Sequence, residues 1–125
     1  MIIEDIRKHQ QAFLEKEKLR KEPAFYTVQG VEIKVNPGVF PPATDSRLLA
    51  ANIQVSPGIR TLDLTTGSGI FSVIAGLQEA SGIAVDINPE AVKNAEENFS
   101  RHGVKMKAIQ SDLFEKVQLQ TPGVK

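Results

Sequence analysis

Asp63-Leu64-Thr65-Thr66-Gly67-Ser68-Gly69 follows the run Arg60-Thr61-Leu62 and precedes Ile70-Phe71-Ser72-Val73-Ile74. The order reads as a strand, a glycine loop and the start of a helix. Gly67 and Gly69 lack side chains, so the loop can take dihedrals closed to other residues and bring its backbone close to a ligand at the helix opening. An acid stands at the tip of the strand, ahead of the glycines.

A carboxylate at that position would face the pyrophosphate of a bound dinucleotide, whereas it attracts a ligand carrying an ammonium or a sulfonium. The difference points to S-adenosylmethionine rather than NAD. A second apolar run, Ile83-Ala84-Val85-Asp86-Ile87, brings another acid to the place where a nucleoside-binding βαβ unit holds the ribose diol. A third run, Lys105 to Gln110, precedes Ser111-Asp112-Leu113-Phe114. Ligands of open parallel sheets bind outside the carboxyl ends of the strands, so Asp63, Asp86 and Asp112 are expected to converge on one crevice.

In these residues the chain resembles the class I S-adenosylmethionine-dependent methyltransferases, over roughly Val39 to Glu115. Upstream, Pro41-Pro42-Ala43-Thr44-Asp45-Ser46-Arg47-Leu48-Leu49-Ala50 is similar to the segment before the glycine loop in the small-domain group, which includes release-factor glutamine methyltransferases and several rRNA and tRNA base methyltransferases. The resemblance implies that Asp63 lies near the methionine ammonium and that Thr65, Thr66, Gly67 and Gly69 form the cofactor loop. It further implies that Asp86 takes the ribose hydroxyls, that Asp112 with the Leu113 amide reads the adenine edge, and that Thr44 and Ile87 join the cofactor-binding set.

Two departures from the family pattern stand out. The family's loop usually starts with glycine where this chain has Thr65, and a positive φ there would cost a β-branched residue on the order of 1–2 kcal/mol. After a fourth strand, family members carry an Asn-Pro-Pro-Tyr type motif that grips the planar nitrogen to be methylated, and no such motif occurs up to Lys125. The nearest match in composition, Asn36-Pro37-Gly38, reads as a turn. The expectation is therefore a cofactor half without a recognisable catalytic half, a fragment or truncated gene product, with no catalytic residue assigned.

Composition narrows the classes. The 125 residues make one domain, small for a complete enzyme of this kind, and 15 basic residues balance 15 acidic ones. Neutrality gives no bulk electrostatic footprint for nucleic acid. There is no cysteine, which excludes disulfides, thiolate catalysis and cysteine-ligated zinc. No apolar run approaches the ~20 residues of a membrane span, and the charged N-terminus lacks a secretory signal's apolar core. A cytoplasmic protein is expected. His9 and His102 have no partners at metal-ligand spacing, so both read as solvated and no metal is expected.

Residues 1–22 read as a charged, solvated helix leaning a thin face of Ile2, Ile6 and Phe13 on the body, and 23–125 as the partial cofactor domain. Tyr26 to Val28 and Val31 to Val35 flank Gln29-Gly30 as a β-hairpin. Val39-Phe40-Pro41-Pro42 is irregular, either a lid over the cofactor with Thr44 or Asp45 capping the next helix, or a connector. A helix from about Ser46 to Gln54 is expected to carry Leu48, Leu49 and Ile53 on one side. The next helix is expected to bury Ile70, Val73, Ile74 and Leu77, and Ala80-Ser81-Gly82 to turn into the second strand. Asn88-Pro89-Glu90 starts a third helix that presents Val92, Ala95 and Phe99 and stops at Gly103. Asp112 could also cap a short terminal helix.

The sum is an α/β fold, a partial Rossmann-like methyltransferase sheet of parallel strands ordered 3-2-1 with flanking helices. The strand Arg60 to Leu64 would then be an exposed apolar edge that invites self-association. The acceptor implied by the resemblance is a planar nitrogen of a protein or RNA substrate. Two rival readings are an NAD-dependent oxidoreductase fragment, since Gly67 and Gly69 match two of three dinucleotide glycines, and a non-catalytic binding module.

Overall fold

The computed structural model describes residues 8–9, 11–12, 15–16, 20–42, 44–64 and 66–112, the side chains of residues 44–46 excepted. The helix expected up to Glu22 lies mostly outside them. Lys8, His9, Gln11, Ala12, Glu15 and Lys16 are helical and exposed, but the expected bound at Glu22 is corrected: Arg20, Lys21 and Glu22 are not helical, and the Arg20 guanidinium instead donates to Asn36 O at 2.9 Å.

β1 (Ala24–Val28) and β2 (Val31–Val35) pair antiparallel, with Val28 opposite Val31. Val28, Ile33 and Val35 are buried, as alternation along a half-covered strand requires. The turn between them places both central residues at positive φ, Gln29 at 52° and Gly30 at 75°. That geometry matches the twist of a hairpin, so Gln29 shares a strain expected of the glycine alone. At the end of β2, Val39 N–H donates to Asn36 O at 3.1 Å and Gly38 has φ 84°, so Asn36-Pro37-Gly38 is the expected turn.

Helix α1 (Thr44–Ala51) begins and ends earlier than expected. Asn52 N–H donates to Leu49 O at 3.0 Å as the chain leaves the helix, so Ile53 packs on the core from the connection. The expected apolar side is corrected: Ala50 is the buried contact, while Leu48 and Leu49 are each 61% exposed.

β3 (Arg60–Leu64), α2 (Ile70–Leu77), β4 (Ser81–Asp86), α3 (Pro89–His102) and β5 (Lys105–Gln110) then alternate. The strands form a parallel sheet in the order β3-β4-β5, the expected 3-2-1 arrangement. Ile70, Val73 and Ile74 of α2 and Ala91, Ala95 and Phe99 of α3 share one core with Ala84, Met106 and Ala108 of the sheet. Successive right-handed crossovers in one direction put both helices on one face, which explains the single core. Ile83, Val85 and Ile109, alternating with those positions, make a separate buried cluster on the opposite face.

Two further expectations are corrected. Leu77, the last residue of α2, is 49% exposed and borders a hollow beside Gln29, Val31 and Ala50. The chain reverses at Gln78-Glu79, with Glu79 at φ 68°, so β4 already starts at Ser81. The third helix is as expected. Asn88 Oδ1 accepts from Glu90 N–H at 3.0 Å, Pro89 follows it, and Gly103 at φ 64° ends the helix. Val104 N–H returns to Phe99 O and Gly103 N–H to Ser100 O, a Schellman stop.

Candidate functional site

Parallel pairing carries Asp63 and Asp86 to the same end of the sheet, since Asp63 lies beside Ala84 and Leu64 beside Val85. Thr66 N–H continues the ladder to Val85 O at 2.9 Å, and the chain then swings through Gly67-Ser68-Gly69 into α2. Asp63 is held from below. Its Oδ2 accepts from Thr66 Oγ1 at 3.0 Å and from Ser72 Oγ at 2.9 Å, and both hydroxyl-bearing residues are buried. Oδ1 has no hydrogen-bond partner among the described residues.

Burial pushes the Asp63 carboxyl above its ordinary value of 3.8; the Ser72 and Thr66 hydroxyls pull it back, and the neighbouring charge of Asp86 adds to the rise. The two acids therefore act on one another at this end of the sheet, and a cation between them would relieve that repulsion. Asp86 is fixed differently. Its Oδ2 accepts from Gly67 N–H and its Oδ1 from Asn88 N–H, each at 2.9 Å.

The two glycines divide the work. A Cβ on Gly69 would come within 3.0 Å of Phe99 and 3.1 Å of Ala95, so this glycine lets α2 start against α3. A Cβ on Gly67 would meet nothing within 4 Å, and this glycine has φ 57°. The packing explanation suits Gly69; Gly67 faces open space.

Ile87 is 64% exposed beside Asp86. Asp112 is exposed past the end of β5, and of the other two acids only Asp86 acts on the Asp63 carboxyl. Thr65 and Leu113 lie outside the described residues, as does the Thr44 side chain; the proposed cost at Thr65, the adenine-reading amide and the terminal helix after Asp112 fall there too. His102 is half-exposed, and its Nε2 lies 2.7 Å from Glu32 O, tying the end of α3 to the hairpin. Among the described residues no cluster of His, Asp and Glu could hold a metal ion.

Sequence reasoning missed the polar residues that brace this end of the fold. Asn94 and Asn98 are fully buried on α3 among its apolar positions. Asn98 Oδ1 accepts from Lys34 N–H at 3.0 Å, and its Nδ2 donates to Lys34 O and Ser68 O, both at 2.8 Å. Asn94 accepts from Asn36 N–H and donates to Lys34 O, both at 2.8 Å. The available signal was an i, i+4 pair of asparagines on the stripe that also carries Ala91 and Ala95.

Asp63 and Ser72 also border a cavity of about 210 Å³ whose other walls include Ile53, Val55, Phe71 and Ala75. It is smaller than a usual ligand pocket, and Gly67 is not among its walls.

Residues 30–122 match the family model described as "Methyltransferase small domain". The chain is 38% identical over 91 residues to a Methanocaldococcus jannaschii protein provisionally assigned as a protein N5-glutamine methyltransferase, covering 72% of this chain and 46% of that one. It is 32% identical over 114 residues to the release factor glutamine methyltransferase of Bordetella pertussis, covering 82% and 42%. The chain thus spans less than half the length of these relatives. Among solved structures, the Pyrococcus abyssi tRNA (uracil-54, C5)-methyltransferase in complex with S-adenosyl-L-homocysteine shares the fold, with a TM-score of 0.64 and 19% identity over 74% of this chain and 24% of that one. With the family model covering most of the sheet and both helices that frame the glycine loop, the chain belongs to the methyltransferase small domain family.

Proposed function

We propose that the chain is the cofactor-binding part of an S-adenosylmethionine-dependent methyltransferase, with the cofactor seated over Gly67 between Asp63 and Asp86. The observation that carries this reading is the pair of acids flanking a glycine whose missing side chain leaves open space. Asp63 Oδ1 is the acceptor for the ligand's ammonium, and the raised proton affinity of its carboxyl means that a cation is welcome there. Asp86 is set for the ribose diol, its own orientation fixed by the Gly67 and Asn88 amides. Asp112, Leu113, Thr44, Thr65 and Ile87 complete the proposed set.

When bound, S-adenosylmethionine supplies a methyl group already activated as a sulfonium, for in-line transfer to a nucleophile. The residues of this chain orient and neutralise; none is assigned as an acid or base. The acceptor is a planar nitrogen of a protein or RNA, a reading supported by relatives named for protein glutamine methylation. Self-association through β3, and residence in the cytoplasm, belong to the same reading.

Calorimetric titration with S-adenosylhomocysteine and, separately, NAD tests it. Saturable binding of the first with no heat from the second is expected. Binding of NAD alone would replace the reading with a dinucleotide site.

A further inference from the structure

The end of β2 and the turn after it form a strap, Lys34 to Gly38, laid along α3. The strap has no neighbouring strand on that side among the described residues. Side-chain amides take the strand's place. Asn94 and Asn98 stand one helical turn apart, a rise of about 6 Å. Lys34 and Asn36 stand two residues apart along an extended chain, about 6.6–6.8 Å. The spacings match closely enough for Asn98 to pair both backbone groups of Lys34, and for Asn94 to pair the Asn36 N–H and the Lys34 carbonyl. Glu97, between them, holds Lys34 Nζ at 2.8 Å and Asn36 Nδ2 at 2.6 Å.

The two asparagines differ in one bond. Asn98 Nδ2 also donates to Ser68 O, in the middle of the glycine loop, at 2.8 Å. One fully buried amide therefore touches the strap and the loop at once. From the other side, Asn88 Nδ2 reaches Gly38 O at 3.3 Å while its N–H donates to Asp86, so a second bridge runs from the strap to the acid that holds the Gly67 amide.

We propose that Asn98 is a positioning residue that couples the strap to the glycine loop, so that the seating of Lys34 and the geometry of Gly67 to Gly69 rise and fall together. The inference rests on the reading of that loop as the cofactor site. Asn94, with the same chemistry and burial but no bond to the loop, is its internal control. Because coupling is reciprocal, a ligand that orders the loop must also tighten the strap.

The experiment compares wild type, Asn94→Ala and Asn98→Ala at a temperature where each is folded, by calorimetric titration with S-adenosylhomocysteine and by amide hydrogen exchange. Both variants are expected to melt at lower temperature, but Asn98→Ala should weaken binding about tenfold and Asn94→Ala no more than about threefold, the range of one net hydrogen bond. In wild type, saturating ligand should slow exchange of the Lys34 amide. Equal loss of affinity in the two variants, wild-type affinity in Asn98→Ala, or an unmoved Lys34 amide would each overturn the coupling. If Asn98→Ala does not fold, Asn98→Ser takes its place. If wild type does not bind the ligand, the cofactor reading fails by itself. Ligand-free exchange at Gly67 and Gly69 then decides the coupling, faster in the Asn98 variant than in Asn94→Ala if it holds and equal if it does not.

Discussion

The Gly67 amide donates to the Asp86 carboxylate at 2.9 Å, linking residues 19 apart in the chain. The acid that ends β4 thereby fixes the loop that leaves β3. Oδ1 of the same carboxylate takes the Asn88 amide at the start of α3. Asp86 thus organises its surroundings before any ligand arrives.

Replacing it separates the two roles. Asp86→Asn retains an acceptor for one amide and loses the charge; Asp86→Ala leaves both amides without their acceptor. Affinity for S-adenosylhomocysteine should fall in both by roughly 1.5–3 kcal/mol, the worth of a charge-assisted acceptor. Urea denaturation should show Asp86→Ala less stable than Asp86→Asn. Unchanged affinity in both variants would remove Asp86 from the site.

Asp63 should trade stability for binding. Its pKa is raised in the folded chain, chiefly by burial, so between its unfolded value near 3.8 and its folded value the native state holds more protons than the unfolded one. The stability contributed by the neutral acid is present below 3.8 and is lost as pH rises through the folded value. Asp63→Asn is therefore expected to melt higher than wild type at neutral pH, with the advantage disappearing at the acid end of the range. The same variant should bind S-adenosylhomocysteine poorly. A melting temperature below wild type at pH 7 would show that the ionised carboxylate with its Thr66 and Ser72 bonds is net stabilising.

Much of this geometry was legible because it follows from local rules. Strands β3 and β5 have the expected bounds, and Asn88, Pro89 and Gly103 each mark a helix end through a single backbone requirement. The arrival of Asp63 and Asp86 at one end of the sheet followed from parallel register alone. Partners distant in sequence were not legible: Asn98 meets Lys34, 64 residues away, and Ser68, 30 away, and no periodicity announces an amide that substitutes for a strand. Exposure at helix ends was misread for a related reason. Leu48, Leu49 and Leu77 have the residue type of a core, and whether a neighbour reaches them is set by tertiary packing that residue type does not carry.

The glycines of the loop should fail in different ways. Gly69→Ala puts a Cβ within 3.0 Å of Phe99 at φ 88°, so overpacking and backbone strain act together. A loss of about 2–4 kcal/mol in unfolding free energy is expected. Gly67→Ala meets no protein atom within 4 Å and bears only the strain of φ 57°, about 1–2 kcal/mol. Its ligand affinity should nevertheless collapse, because the added methyl occupies the crevice. Denaturant melts beside calorimetric titrations distinguish the cases; Gly67→Ala binding as wild type would mean that no ligand approaches there.

The two margins of the sheet carry opposite chemistry. On β5, Lys105 and Lys107 are exposed, and Ala108 N–H is covered by Glu96 Oε1 at 2.6 Å. Charge and a covering side chain are the usual defences of an edge. β3 forms the other margin among the described residues, with Leu62 37% and Leu64 41% exposed. A second copy of the chain, which carries the same apolar strip, is the expected occupant. Sedimentation velocity should give a mass above the 13.7 kDa monomer that rises with concentration. Substituting Leu62→Lys and Leu64→Lys together should return it to the monomer value, since like charges would then face each other across the joint. Wild type sedimenting as a monomer from micromolar to millimolar concentration would exclude β3 as a self-association edge.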